Sequence, residues 1–274
     1  MAVGVTLIYG ILRVVNFAHG EFYMIGGYAL YFFVSAYKLP TAVGLPVAFI
    51  AGFLAAAVVE KTLISTTYSR RIERPAEYAL LATFALSIFL QNLAINTAGG
   101  DLLTPPSMIE GVIFVAGVAL TAQRILASLI AVGVFAVLGL FLKYTWEGRI
   151  WRAVAQNRDG AITIGIPVQR VSLLSFAVSG GLAAIAGGLL APEYSAYPTV
   201  GLTPLIMAFV VIVIGGLGSV PGSFIAGLIV GATQSIASGL ASSLSIGDAA
   251  VFLIMILFLI FRPVGLFGER ERRA

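Results

Sequence analysis

Apolar runs, broken by short polar or glycine- and proline-rich stretches, fill this sequence from end to end. A membrane-spanning helix needs about 20 mostly apolar residues. The runs at about 22–37, 45–60, 78–98, 124–142, 171–191, 204–218, 222–243 and 248–262 are each read as one such helix. The first run, about 2–15, is too short to span comfortably and is read as a partial helix. The pattern therefore predicts an all-α, polytopic bundle of about 8–9 transmembrane helices in one membrane domain, residues 1–274. The opening residues do not resemble a cleaved signal peptide, because no basic stretch precedes the apolar run and no small-residue cleavage site follows it. The expectation is a truncated start, a start at an internal Met, or a segment that dips in without crossing.

The basic residues orient this bundle. Of the 16 Lys and Arg residues, all but Arg13, Lys38 and Arg124 fall in three clusters. Lys61, Arg70, Arg71 and Arg74 form the first; Lys143, Arg149, Arg152, Arg158 and Arg170 the second; Arg262, Arg270, Arg272 and Arg273 the third. The excess of Lys and Arg on cytoplasmic loops assigns all three to the cytoplasm, so spans must come in even numbers between them. The proposed spans satisfy that rule and put the C-terminus in the cytoplasm. On the outer side, the loop carrying Asp101 and Glu110 holds Pro105-Pro106, which breaks any helix there. Within the spans, Gly180, Ala184 and Gly188, and Gly227 and Gly231, recur every four residues, a pattern that lets helix backbones approach closely in lipid. Gly26-Gly27 and Gly215-Gly216 are alternatively hinges in a moving gate.

Composition narrows the functional classes. Charged residues make up 10% of the chain and hydrophobic residues 59%, with a mean hydropathy of +1.03. Soluble domains carry about 25% charged residues, so lipid must solvate the apolar remainder. The absence of cysteine excludes disulfides, thiol catalysis and Cys-ligated metals. His19 is the only histidine and has no second ligand at helical spacing, so no metal site is expected, and neither paired Asp nor an HExxH arrangement suggests an intramembrane protease. The segment Gly215-Gly216-Leu217-Gly218-Ser219-Val220-Pro221-Gly222 does not complete GxGxxG, and no Gly-Lys-Ser/Thr follows it. It is read as a tight cytoplasmic reversal. Neither a cofactor nor nucleic acid is expected as a partner, and any ATP hydrolysis belongs to another subunit. No acid lies deep in a span from residue 60 onward, and no internal repeat is evident, so little favours an ATP-independent carrier.

Three polar features remain. Residues 147–171 mix apolar Ala153, Val154, Ala161, Ile164 and Ile166 with Arg152, Gln156, Asn157, Arg158 and Asp159, with Gly160 and Gly165 free to turn. Two short helices broken by glycine would dock in a groove on a cytoplasmic partner; a merely solvated connector is the other reading. The segment Asn16-Phe17-Ala18-His19-Gly20-Glu21-Phe22-Tyr23 gathers polar groups at the expected cytoplasmic edge, where water could solvate them. Such groups deep in a membrane are seldom idle. Gln91, Asn92 and Asn96 lie inside the fourth span, either along a polar path or in hydrogen bonds between helices.

At these residues the chain resembles the LivH-type permeases of branched-chain amino-acid ABC importers, over nearly its whole length from Gly4 to Gly268. The resemblance rests on Leu7-Ile8-Tyr9-Gly10 with Asn16–Glu21, Tyr23-Met24 and Gly26, and on Ser87–Asn92. Further motifs are Gly148-Arg149, Arg152–Asn157 and Gly165-Ile166, then Gly215–Gly222 and Arg262–Gly268. The family usually carries a further stretch before Gly4 that completes the first helix. The resemblance implies a multi-pass protein of the bacterial inner membrane, surrounded by lipid. Its partners would be a second related permease subunit, two ABC ATPase subunits and an extracytoplasmic substrate-binding protein. The loop at about 145–170 would be the coupling loop, with Arg152, Ala153, Asn157 and Gly165 on the matching positions. Branched-chain or other small hydrophobic amino acids are the implied substrate; urea or a short amide is the alternative, because related permeases carry those. For passage of a zwitterion, Asn16, Tyr23, Gln91 and Asn92 are the candidate polar groups.

Overall fold

The computed structural model describes residues 1–38, 40–67, 73–115, 118–241 and 243–268. Arg70, Arg71, Arg270, Arg272 and Arg273, which the orientation argument uses, lie outside the described residues. The chain opens with α1 (Ala2–Leu12) and α2 (His19–Tyr31), which a π-helical turn prolongs over Phe32–Ala36. α3 (Thr41–Val59) runs through a second π turn (Glu60–Ile64) into the short α4 (Ser65–Thr67). α5 (Pro75–Ala98) leads to an antiparallel hairpin of β1 (Val112–Val115) and β2 (Val118–Thr121), in which Ile113 faces Leu120 and Phe114 faces Ala119. Then come α6 (Ala122–Tyr144), α7 (Trp146–Gln156), α8 (Arg158–Thr163), α9 (Val168–Tyr194), α10 (Leu202–Gly215), α11 (Val220–Ala241) and α12 (Leu244–Phe261).

Each expected span coincides with a helix. Among the described residues, five segments are long and apolar enough to cross a membrane: Val43–Ile64, Pro75–Ala98, Ala122–Tyr144, Val168–Tyr194 and Val220–Ala241. Ala2–Leu12, Leu202–Gly215 and Ser245–Phe261 are shorter apolar helices. The fold is that of a helical membrane protein. The hairpin was not expected: Pro105-Pro106 ends regular structure locally, but the β-branched run Val112-Ile113 beyond it pairs back onto residues 118–121.

α9 forms the centre. Small residues make this possible, because they let backbones touch where larger side chains would hold them apart. A Cβ on Gly26 of α2 would strike the Ala184 carbonyl, and one on Gly187 the Tyr23 carbonyl. On the other side Gly52 of α3 faces Gly180 and Ala184. Gly26 thus sits tightly packed inside a continuous helix. Gly216 (φ 100°) and Gly218 (φ 85°) instead form the expected reversal between α10 and α11, packed against Gly10 and against Gly268. Gly227 and Gly231 do not pack as expected: the nearest group to a Cβ on Gly227 is Val211 Cγ1 at 3.9 Å, and nothing lies within 4 Å of one on Gly231. α6 and α11 bury little of their surface within the chain, so their apolar sides face outward.

The start of α2 lies deeper than expected. α1 ends at Arg13 in a left-handed conformation (φ 51°), and the chain doubles back through residues 14–18 to begin α2 beside Gly4. Gly4 packs on His19 and on the Ser179 carbonyl, and its own carbonyl accepts a hydrogen bond from Ser179 Oγ at 2.7 Å. Ser179 lies near the middle of α9. From Gly4 to Arg13 an α-helix rises about 13 Å, close to half of a roughly 30 Å hydrocarbon core. Asn16, His19 and Glu21 are therefore buried at mid-depth, at 2%, 0% and 1% exposure, and not solvated at the edge. α10 begins at the same depth, since Gly201 lies directly against Gly20.

Candidate functional site

Two polar regions stand out, one at mid-depth and one at the end of the bundle carrying α7 and α8. At mid-depth, α5 meets α2 through a polar stripe. Thr83, Ser87 and Gln91 recur every four residues and so share one helix face. Glu21 Oε1 accepts hydrogen bonds from Ser87 Oγ at 2.7 Å and from Gln91 Nε2 at 2.9 Å. One turn lower, Thr83 Oγ1 accepts from the Phe17 amide at 3.1 Å. Asn16 Oδ1 accepts from the Ala18 amide at 3.0 Å, which shapes the turn leading into α2. Asn16 Nδ2 and Glu21 Oε2 are buried and have no partner. Phe17 stacks edge-on against Phe84 of α5 and tilts against Phe209 of α10, at 5.8 Å in each case. Between α2, α3 and α5, Phe22 and Ile25 of α2, Leu86 and Leu90 of α5, and Leu54, Val58 and Thr62 line a half-open apolar groove of about 390 Å³.

The candidate pathway residues separate here. Asn16 and Gln91 join the seam. Tyr23 is buried nearby, in a cluster with Met24, Tyr28, Ala94, Ala196 and Val200. Asn92 points away: it is exposed, and its amide donates to the Ile88 carbonyl of its own helix at 2.8 Å. Asn96 does the same towards Asn92. Glu21 was not among the residues the sequence singled out for the path, although the four-residue spacing of Thr83, Ser87 and Gln91 was a readable signal that α5 buries a polar face.

At the end of the bundle, α7 and α8 lie outside the spans as the expected pair of short helices. α7 is amphipathic. Trp151 and Val154 are buried, with Trp151 packed edge-on against Phe141 at 5.2 Å, while Arg152 is exposed. The break between the two helices falls at Asn157 and not at a glycine. Asn157 adopts an extended conformation and caps α8, its Oδ1 accepting from the Gly160 amide at 2.8 Å, so an Asx cap ends one helix and starts the next. Gly160 is inside α8, and Gly165 (φ 82°) makes the turn beyond it. Ala153 is half-buried, whereas Asn157 and Gly165 are exposed. Ile162 and Ile164 expose 55% and 75% of their surface, an apolar pair unusual outside a membrane or an interface. Glu147 and Arg170 approach to 3.7 Å and draw the two ends of the segment together. Glu60, buried in the π turn at the end of α3, faces the charge of Arg158.

A family described as "Branched-chain amino acid transport system / permease component" matches residues 1–260. This chain belongs to that family. The permease is 32% identical over 286 residues to the high-affinity branched-chain amino acid transport system permease protein LivH of Salmonella typhimurium, covering 99% of this chain and 91% of that protein. It is 30% identical over 282 residues to BraD of Pseudomonas aeruginosa, a permease protein of the same description, with the same coverage. Identity to the probable branched-chain amino acid transport permease LivH of Methanocaldococcus jannaschii is 28% over 291 residues. No solved structure matches the permease. The relatives are transport subunits, and this permease is likewise a transport protein.

Proposed function

We propose that this chain is one permease subunit of an ATP-driven importer that carries branched-chain amino acids across the bacterial inner membrane. The observation that carries the reading is similarity along nearly the full length to proteins named for that transport, 32% identity over 286 residues in the case of LivH. Eight membrane helices, of which α2 and α10 begin at mid-depth, α1 as a partial one and a cytoplasmic C-terminus complete the topology. A second related permease would pair along the outward apolar faces. Two ABC ATPase subunits would bind below and hydrolyse ATP, and an extracytoplasmic binding protein would deliver the amino acid. The segment from α7 to Gly165 is the coupling element: Arg152, Ala153 and Asn157, with exposed Ile162 and Ile164, offer the mixed apolar and charged surface that an amphipathic helix lays in a partner's groove. ATP-driven closure of the ATPase pair moves this segment and re-orients the spans. Asn16, Tyr23 and Gln91 supply polar groups along the path, and Asn92 does so from the exposed side of α5.

Co-purification of the tagged chain in mild detergent tests the assembly. ATPase subunits should be recovered, and should be lost when Arg152→Ala and Asn157→Ala are combined. A chain that emerges alone and transports leucine in liposomes without ATP would overturn the proposal.

A further inference from the structure

A zwitterion crossing the membrane needs a hydrogen-bond donor for its carboxylate and an acceptor, preferably anionic, for its ammonium. Where would this protein offer both? Among the described residues, Glu21 is the membrane-buried carboxylate with an oxygen left unpartnered: Oε1 is occupied by Ser87 and Gln91, while Oε2 has no partner. Glu60 faces the charge of Arg158 at the end of α3, Glu193 is bound by Thr121 and Arg124 near the end of α9, and Asp248 by Gln234. The complementary donor is five residues away. Asn16 commits Oδ1 to the Ala18 amide, which leaves Nδ2 as the free group, buried and unpartnered. Unpaired polar groups at this burial are costly unless a ligand or water meets them.

Their setting favours a ligand. Asn16 lies in the mid-depth break before α2 and Glu21 in the first turn beyond it, and α10 starts against the same point through Gly20 and Gly201. Two helix N-termini therefore converge halfway along the bundle. Broken helices with N-termini at the midplane are a general means of holding anionic substrate groups. A half-open apolar groove of about 390 Å³ between α2, α3 and α5 is lined by Phe22, Ile25, Leu86 and Leu90, which neighbour Glu21, Ser87 and Gln91 along their helices, and has room for an aliphatic side chain.

We propose that Glu21 and Asn16 are the two poles of a mid-membrane amino-acid site: Glu21 receives the ammonium, and Asn16 with the α2 and α10 N-termini receives the carboxylate. This rests on the importer reading above and adds to it the residue that recognises the positive end.

The test is leucine uptake by the complete transporter in proteoliposomes, with assembly yield measured in parallel. Glu21→Gln keeps an oxygen for Ser87 and Gln91 and replaces the free, charged Oε2 acceptor with an NH2 donor. It should assemble at wild-type yield and lose at least about tenfold in uptake, the loss expected for one charge-assisted hydrogen bond, whereas Glu21→Asp should retain more. Asn16→Asp keeps the turn to Ala18 but sets a like charge against the carboxylate, and should lose uptake to a similar degree; it carries the test if Glu21→Gln fails to assemble. Ser87→Ala removes a hydrogen bond to Glu21 without touching charge and should lose much less. Wild-type uptake in Glu21→Gln, or equal losses in Glu21→Gln and Ser87→Ala, would reduce Glu21 to a pin between α2 and α5 and overturn the site. Wild-type uptake in Asn16→Asp would remove its carboxylate pole. A wild-type transporter that carries no leucine would instead sink the importer reading, a separate result.

Discussion

Gly26 and Gly231 both lie within helices of the bundle, and their neighbours give them opposite roles. A methyl group on Gly26 would collide with the Ala184 backbone, which belongs to the central helix and has no room to move. Around Gly231 nothing lies within 4 Å, so a methyl there adds helix propensity and meets no obstacle. Gly26→Ala should destabilise the isolated chain by about 1–3 kcal/mol through overpacking, and Gly231→Ala should stabilise it by up to about 1 kcal/mol. Thermal unfolding of both variants in one detergent measures the contrast. A Tm for Gly26→Ala at or above wild type would refute the direct α2–α9 backbone contact.

Among the elements, the loop joining α5 to α6 shows how a long connection is held. Leu103 and Ala196 exchange backbone hydrogen bonds, and Thr104 meets Ser195 at 2.7 Å. Gln123 is the buried link: its Oε1 accepts from the Met108 amide at 3.1 Å and its Nε2 donates to the Leu189 carbonyl at 2.8 Å. Arg124 adds an ion pair to Glu193 at 2.8 Å, worth less than the buried bonds because Arg124 is largely exposed. Gln123→Ala strands two backbone groups, at a local cost of about 1–3 kcal/mol. Limited proteolysis should then cut between Ile109 and Thr121 faster than in wild type, with the helices intact. An unchanged cleavage rate would show that the remaining contacts suffice.

At the scale of the whole molecule, topology becomes testable because the chain has no cysteine, so each introduced thiol is unique. Ile109 and Ile164 are both exposed and lie at opposite ends of the bundle. In intact cells a membrane-impermeant maleimide should label Ile109→Cys at once, and Ile164→Cys only after permeabilisation. The reverse order would invert the protein and place α7 and α8 on the wrong side for ATPase partners. The apolar surfaces that α6 and α11 leave open among the described residues belong to this scale too.

Much of the architecture was legible in the order of residues. Spans announce themselves because lipid tolerates no long polar helix, and loops because Lys and Arg mark one side; the positions of α5, α6 and α9 to α12 follow from that alone. The polar and apolar residues of the segment after Lys143 likewise foretold two short helices, although the break is made by the Asn157 cap and not by a glycine. Depth was not legible. Asn16 to Glu21 adjoin a basic residue in sequence and so read as an edge, yet the chain doubles back along α1 and carries them to the level of Ser179. Only tertiary contacts, Gly4 with His19 and Gly20 with Gly201, decide this. Pairing across distance was hidden for the same reason: that Glu21 meets Gln91 while Asn92 turns away depends on which face of α5 packs on α2. Hydrophobic length is a local property of the chain, whereas depth and facing belong to the packed helices together.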